Sequence, residues 1–149
     1  MNALQHLNAL ADQRKAERSP NFPAKLIPKS KYNDRDANGL TTAIIACIEL
    51  HGGYAVRINT QGQYNEKLGR WTKSQTRKGT ADVHAVLNGQ HLSIEVKVSK
   101  DRLSDDQRKT AYLVEKAGGR YYVARDFEAF WQWFTAQFLI KSSAYSSCA

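Results

Sequence analysis

The chain has 149 residues, 42% of them hydrophobic and 24% charged, with a formal net charge of +8. That length holds one ordinary domain with a core of its own but not two, and the composition is globular rather than disordered or fibrous. No apolar run approaches the roughly 18 residues of a spanning helix, which argues against membrane insertion, and the excess of cations favours a polyanion such as nucleic acid as partner.

Residues 1–37 carry all three prolines, Pro20, Pro23 and Pro28, among Lys, Arg, Asn and Ser. The first dozen residues predict a short helix, and the rest a basic N-terminal arm, extended or partly disordered. The segment lacks the basic start and continuous apolar stretch of a signal peptide, so a cytoplasmic setting is expected. Two isolated cysteines, Cys47 and Cys148, agree with that setting, since they form neither a disulfide framework nor a metal-ligand pattern.

At Asn38 the pattern changes. Asn38 is a candidate N-cap, Leu40, Ile44, Cys47 and Ile48 recur at helical spacing, and Gly52-Gly53 marks the stop. Residues 54–59 then alternate as a half-buried strand, with Tyr54, Val56 and Ile58 expected inside and Ala55, Arg57 and Asn59 outside. Residues 60–80 form a polar segment rich in Gly and Lys, longer than most connections, which points to function or mobility.

Next come two runs rich in Val, Ile and Leu around Asn88-Gly89, the strongest short signal for a tight hairpin. With those two as the loop, Leu87 pairs with Gln90, Ala85 with Leu92, Val83 with Ile94 and Ala81 with Val96, giving one apolar face. The other face pairs His84 with Ser93, Asp82 with Glu95 and Thr80 with Lys97. Beyond the hairpin, Ser104 and Gln107 form a capping box for a helix that Gly118-Gly119 ends. Residues 120–125 read as a strand, and Asp126 caps a last helix with Phe127, Phe130, Phe134 and Phe138 along one stripe. Residues 141–149 show no periodicity and are expected as a flexible tail. The order of elements predicts an α/β fold, a mixed central sheet flanked by helices.

Two carboxylates facing each other across a hairpin, with Cβ atoms roughly 4.5–5.5 Å apart, repel. A cation between them removes the objection. Oxygen ligands of this kind suit Mg2+ or Mn2+, and Mg2+ takes only one or two protein carboxylates, completing its octahedron with water and substrate phosphate. Lys97 shares the pleat face with Glu95, where it can hold an attacking water and offset phosphate charge. The combination points to phosphodiester hydrolysis.

Gly79-Thr80-Ala81-Asp82, twelve intervening residues, Glu95-Val96-Lys97, and then Gln107 on the next helix resemble the PD-(D/E)XK nuclease superfamily. More narrowly they resemble its VRR-NUC and Holliday-junction-resolvase-like branch, found among phage and prophage proteins. The resemblance implies a restriction-endonuclease-like αβββαβ core within residues 38–140 and divalent-metal-dependent cleavage of DNA, with branched DNA among the candidate substrates. It also implies Asp82, Glu95 and the Val96 carbonyl as metal ligands, Lys97 as the catalytic lysine and Gln107 as an active-site helper. Two positions depart from the pattern. Ala81 stands where a proline is usual, and Thr41 and Thr42 stand near the start of the first helix, where relatives often carry a glutamate. Asp36 or Glu49 would then be left to complete the site, and one-metal chemistry is the safer expectation.

Around this centre, Arg57 and Asn59 on the first strand, and Lys67, Arg70, Lys73, Arg77 and Lys78 in the long segment with Trp71 among them, combine phosphate-binding charge with a stacking ring. Lys100, Arg102, Arg108 and Lys109 extend the basic surface. His84 and His91 read as ordinary, partly exposed histidines. Trp133 falls off the aromatic stripe and is a candidate partner surface, a homodimer suiting an enzyme that cuts two strands symmetrically. The rival readings are a noncatalytic nucleic-acid-binding module that retains the nuclease fold and a basic scaffold within a phage replication complex.

Overall fold

Helix α1 spans Ala3–Arg18 in the computed structural model, which describes residues 1–140. Asn2 and Gln5 close its start with a capping box, and Ala3, Leu7 and Ala11 turn one side inward. This corrects the expected arm. The helix runs on to Arg18 because the first proline comes only at Pro20, and the residues after it lie against the body rather than away from it. Ser30 and Tyr32 N–H groups donate to Asp12 and Asn8 at 2.8 Å, and the Phe127 N–H donates to Asp34 at 2.9 Å.

Helix α2 (Ala37–Leu50) is capped by Asp36, two residues earlier than expected, whose carboxylate accepts the Gly39 N–H at 2.7 Å. It leads into β1 (Tyr54–Arg57), followed by two short strands, β2 (Gln63–Asn65) and β3 (Arg70–Thr72), and by the hairpin of β4 (Val83–Leu87) and β5 (Gln90–Val96). Helix α3 (Asp105–Lys116), strand β6 (Arg120–Ala124) and helix α4 (Phe127–Phe134) complete the order, with a π turn at Thr135–Leu139. The sheet runs β1-β4-β5-β6, antiparallel across the first three strands and parallel between β5 and β6. That is the αβββαβ order with a mixed sheet. No helix among the described residues is long and apolar enough to cross a membrane, and the expected tail, with Cys148, lies outside the described residues.

Asn88 and Gly89 take φ of 51° and 75°, as a two-residue turn with both central residues left-handed requires. The register is the expected one, Val83 opposite Ile94, Ala85 opposite Leu92 and Leu87 opposite Gln90. Val83, Ala85, Leu87, Leu92 and Ile94 meet Leu40, Ile44, Cys47 and Ile48 from α2 and the phenylalanines of α4 in one buried cluster. Burial of each such phenylalanine stabilises the fold by about 1.5–3 kcal/mol. Cys47 is fully enclosed there, and burial pushes its thiol up to about 12, leaving it inert.

Strand β1 faces the opposite way from the expected one. Ala55 is 5% exposed and pairs with Ala85, whereas Tyr54 is 65% exposed and pairs with Val86 on the open face. At Gly53, where α2 turns directly into β1, a Cβ would overlap Ile48, and the register that follows sets Ala55 opposite Ala85 on the core face. Trp133, off the aromatic stripe, lies at the edge of the core. It is partly buried and stacks on Tyr122 with ring centroids 4.3 Å apart.

Candidate active site

The face of the sheet opposite the apolar core carries Asp82, Ser93 and Glu95, and the N-terminal end of α3 closes over it. Asp82 sits just before β4, where its main-chain carbonyl accepts the Ile58 N–H at 2.8 Å and its Oδ2 accepts the Val96 N–H at 2.8 Å. The side chain thus reaches across the hairpin to the peptide after Glu95, which fixes the two carboxylates beside each other.

Glu95 is only 3% exposed. Its Oε1 accepts the Gln107 Nε2–H at 2.6 Å and lies 3.4 Å from the Lys97 Nζ, while its Oε2 is buried with no partner. Burial first, and the Asp82 charge second, push the Glu95 carboxyl up to about 7, with Lys97 pulling the other way. A buried carboxylate with one oxygen unsatisfied, beside a second carboxylate, is the donor set a divalent cation satisfies. The residues therefore fit a Mg2+-type ion held by one or two carboxylates and completed by water. Among the described residues no cluster of three or more His, Cys, Asp and Glu side chains is assembled.

Gln107 both closes the capping box of α3 and contacts Glu95. Its backbone N–H donates to the Ser104 Oγ at 3.2 Å, its Oε1 accepts the Ser104 N–H at 2.8 Å, and its Nε2 is left for Glu95. Neither acid proposed to complete the site is found there. Asp36 is spent on the α2 cap, and Glu49 borders a separate groove with Arg14 and Leu50. Thr41 and Thr42 donate their hydroxyls back to the Ala37 and Asn38 carbonyls in their own helix.

An open cleft of about 680 Å³ runs from Glu95 and Asp82 past Gln107 to Trp71, Lys73, Arg77 and Lys78. Those four members of the long segment line the same cleft as the carboxylates. Arg57 instead donates to the Asn38 Oδ1 at 2.6 Å, and Asn59 folds its side chain onto the Gln61 N–H at 3.0 Å. Lys100 and Arg102 are exposed beyond the cleft, and Arg108 pairs with Asp105 at 2.9 Å. His84 and His91 form their own edge-to-face pair, 5.3 Å between centroids, with His91 bonded to Ser93 at 2.8 Å.

A model of the VRR-NUC domain family matches residues 37–127. The chain belongs to that family. VRR-NUC domains are members of the PD-(D/E)XK nuclease-like superfamily, so the chain is a nuclease of that type with DNA as its substrate. No curated protein matches it. The VRR-NUC match takes in Asp82, Glu95, Lys97 and Gln107 and stops short of α1, whose buried side nonetheless packs on the matched region.

Sequence reasoning missed three features of the site. Asp106 lines the cleft but reads as an acid placed for the helix dipole. The Tyr121 hydroxyl is buried with no partner, and Glu95 and Asp82 add to burial in raising its pKa; a strand of two adjacent tyrosines gives no sign of which one turns inward. Tyr64, directly opposite Trp71, becomes visible only once β2 and β3 are known to pair.

Proposed function

We propose that this chain is an endodeoxyribonuclease that hydrolyses phosphodiester bonds with a divalent cation, Mg2+ or Mn2+, held by Asp82, Glu95 and the Val96 carbonyl. The observation that carries the reading is the unpartnered Oε2 of Glu95, buried beside Asp82 while Lys97 and Gln107 both occupy Oε1. The bound ion would polarise a phosphoryl oxygen and lower the pKa of a water. Lys97 presents its ammonium where a phosphate over the carboxylates lies, holding the attacking water and offsetting charge in the transition state. The water oxygen bonds to phosphorus as its proton passes to bulk solvent, the bond to the departing sugar oxygen breaks with its electron pair, and that oxygen is protonated from solvent. Gln107 holds Glu95 in place. Arg77, Lys78 and Lys73 along the cleft bind the backbone without reading bases.

The test is cleavage of labelled four-way junction, flap, single-stranded and linear duplex DNA with Mg2+, Mn2+ or EDTA, comparing wild type with Asp82→Ala and Lys97→Ala. Cutting that requires a cation and falls at least a hundredfold in both variants supports the assignment. Binding without cutting under either cation identifies a noncatalytic module instead.

A further inference from the structure

The ribbon β2–β3 forms a two-stranded sheet of its own, apart from the four-stranded sheet. Tyr64 and Trp71 lie directly opposite one another, so both rings emerge on one face, in an edge-to-face pair with centroids 5.9 Å apart. In a core such rings would be covered, yet Tyr64 is 53% and Trp71 72% exposed. The ribbon is built to hold them there. Thr72 Oγ1 donates to the Gln63 carbonyl at 2.9 Å, Thr76 Oγ1 ties the base to the Asn59 carbonyl at 3.1 Å, and a Cβ on Gly62 would fall on the Thr72 carbonyl oxygen.

The occupant follows from charge and position. Residues 60–80 carry Lys67, Arg70, Lys73, Arg77 and Lys78 against the single acid Glu66, which suits a polyanion better than an apolar protein surface. Trp71 also lines the same cleft as Asp82 and Glu95. Paired bases in a duplex offer proteins their edges in the grooves, and a base offers its π face only where it is unstacked. An exposed indole supported by a tyrosine edge is a stacking platform for such a base.

We infer that the β2–β3 ribbon binds an unpaired nucleobase of the substrate on Trp71, so that the nuclease acts where single-stranded DNA adjoins the cleaved backbone. Fully paired duplex lacks the base that fills this platform, and single strands, flaps and open junction centres supply it. The inference rests on the nuclease reading for its substrate, but it concerns binding and is measurable without cleavage.

The experiment uses fluorescein-labelled duplex carrying a single-stranded flap and the same duplex without the flap, titrated in EDTA with the full chain and followed by anisotropy. Trp71→Ala is expected to weaken flap binding about tenfold more than flush-duplex binding, Trp71→Phe to recover most of the difference, and Lys73→Ala to weaken both DNAs alike. Quenching of tryptophan fluorescence by the flap substrate is expected in wild type and lost in Trp71→Ala, although Trp131 and Trp133 remain. Equal losses on both DNAs, or none on either, overturn the inference. The two readings fail separately. Unchanged cutting in Asp82→Ala removes the active-site assignment whatever Trp71 does, whereas normal Asp82-dependent cutting with no flap preference in binding removes only the ribbon's role.

Discussion

Gln107 donates its Nε2–H to Glu95 Oε1 at 2.6 Å while its own Oε1 accepts the Ser104 N–H that begins α3. One side chain therefore joins the helix start to the buried carboxylate, and two substitutions separate its duties. Ser104→Ala removes the cap alone and is expected to cost about 1 kcal/mol of stability with a small effect on cleavage. Gln107→Ala loses the reciprocal bond and the contact to Glu95 together, so cleavage falls tenfold or more beyond the Ser104→Ala value. Denaturant midpoints and initial cleavage rates measured on both variants decide it, and equal rates would reduce Gln107 to a helix cap.

Metal-free protein is expected to lose stability as pH rises from about 4.5 to about 7. In that window native Glu95, pushed up to about 7 by burial and by Asp82, keeps a proton that the unfolded chain has released near its ordinary value of 4.5. The unfolded state then binds fewer protons, so the unfolding free energy falls with pH, by up to about 3 kcal/mol in total. Denaturation in EDTA at pH 5 and pH 8 measures the slope, and Glu95→Gln is expected to flatten it. A slope unchanged in Glu95→Gln would assign the titration to another group.

Gly79 is the residue on which the cleft wall turns. Its φ is +78°, and a Cβ there would strike the Asp106 carbonyl oxygen in the first turn of α3. Gly79→Ala should cost about 1–2 kcal/mol from the backbone alone, with more from the displaced helix start, and lower the Tm by about 5 °C or more. Because the displacement separates Gln107 from Glu95, cleavage measured well below the new Tm is also expected to fall. A stable variant that cuts normally would show that the loop can leave α3 freely.

Leu7→Ala tests whether α1 belongs to the folded body. Leu7 is buried among residues of the main core, so truncation is expected to cost about 2–5 kcal/mol, with a single cooperative transition by circular dichroism. A loss below about 0.5 kcal/mol, the size of an ordinary surface change, would return the segment to the status of an appended arm.

The hairpin was legible because a two-residue loop leaves its register no freedom, and alternation then sends Asp82 and Glu95 to one face and Ile94 and Leu92 to the other. The helices were legible from caps and periodicity, with α2 misplaced by two residues because Asp36 and Asn38 both suit a cap. Burial of β1 was not legible. Bulk suggested Tyr54 and Val56 inside, but the register sets Ala55 opposite Ala85 on the core face and Tyr54 opposite Val86 on the open one. The ribbon escaped notice for a related reason: three-residue strands separated by a turn at Gly69 carry too little alternation to register, and pairing of Tyr64 with Trp71 is a tertiary fact. Of the expected DNA-binding cations, those near the cleft were found by proximity in sequence, whereas the engagement of Arg57 with Asn38 depends on where a distant helix begins.

The bond from the Ala3 N–H to Glu128 joins residues 125 positions apart, and that from Phe127 to Asp34 joins residues 93 apart. Asp82 and Val96, by contrast, are separated by 14. Loop-closure entropy grows with separation, so the carboxylate hairpin closes at a lower entropic cost than the long-range bonds that tie the start of α4 to Ala3 and Asp34. The chemistry-bearing hairpin is thus held by local contacts, whereas the helices behind it are held by contacts between distant parts of the chain.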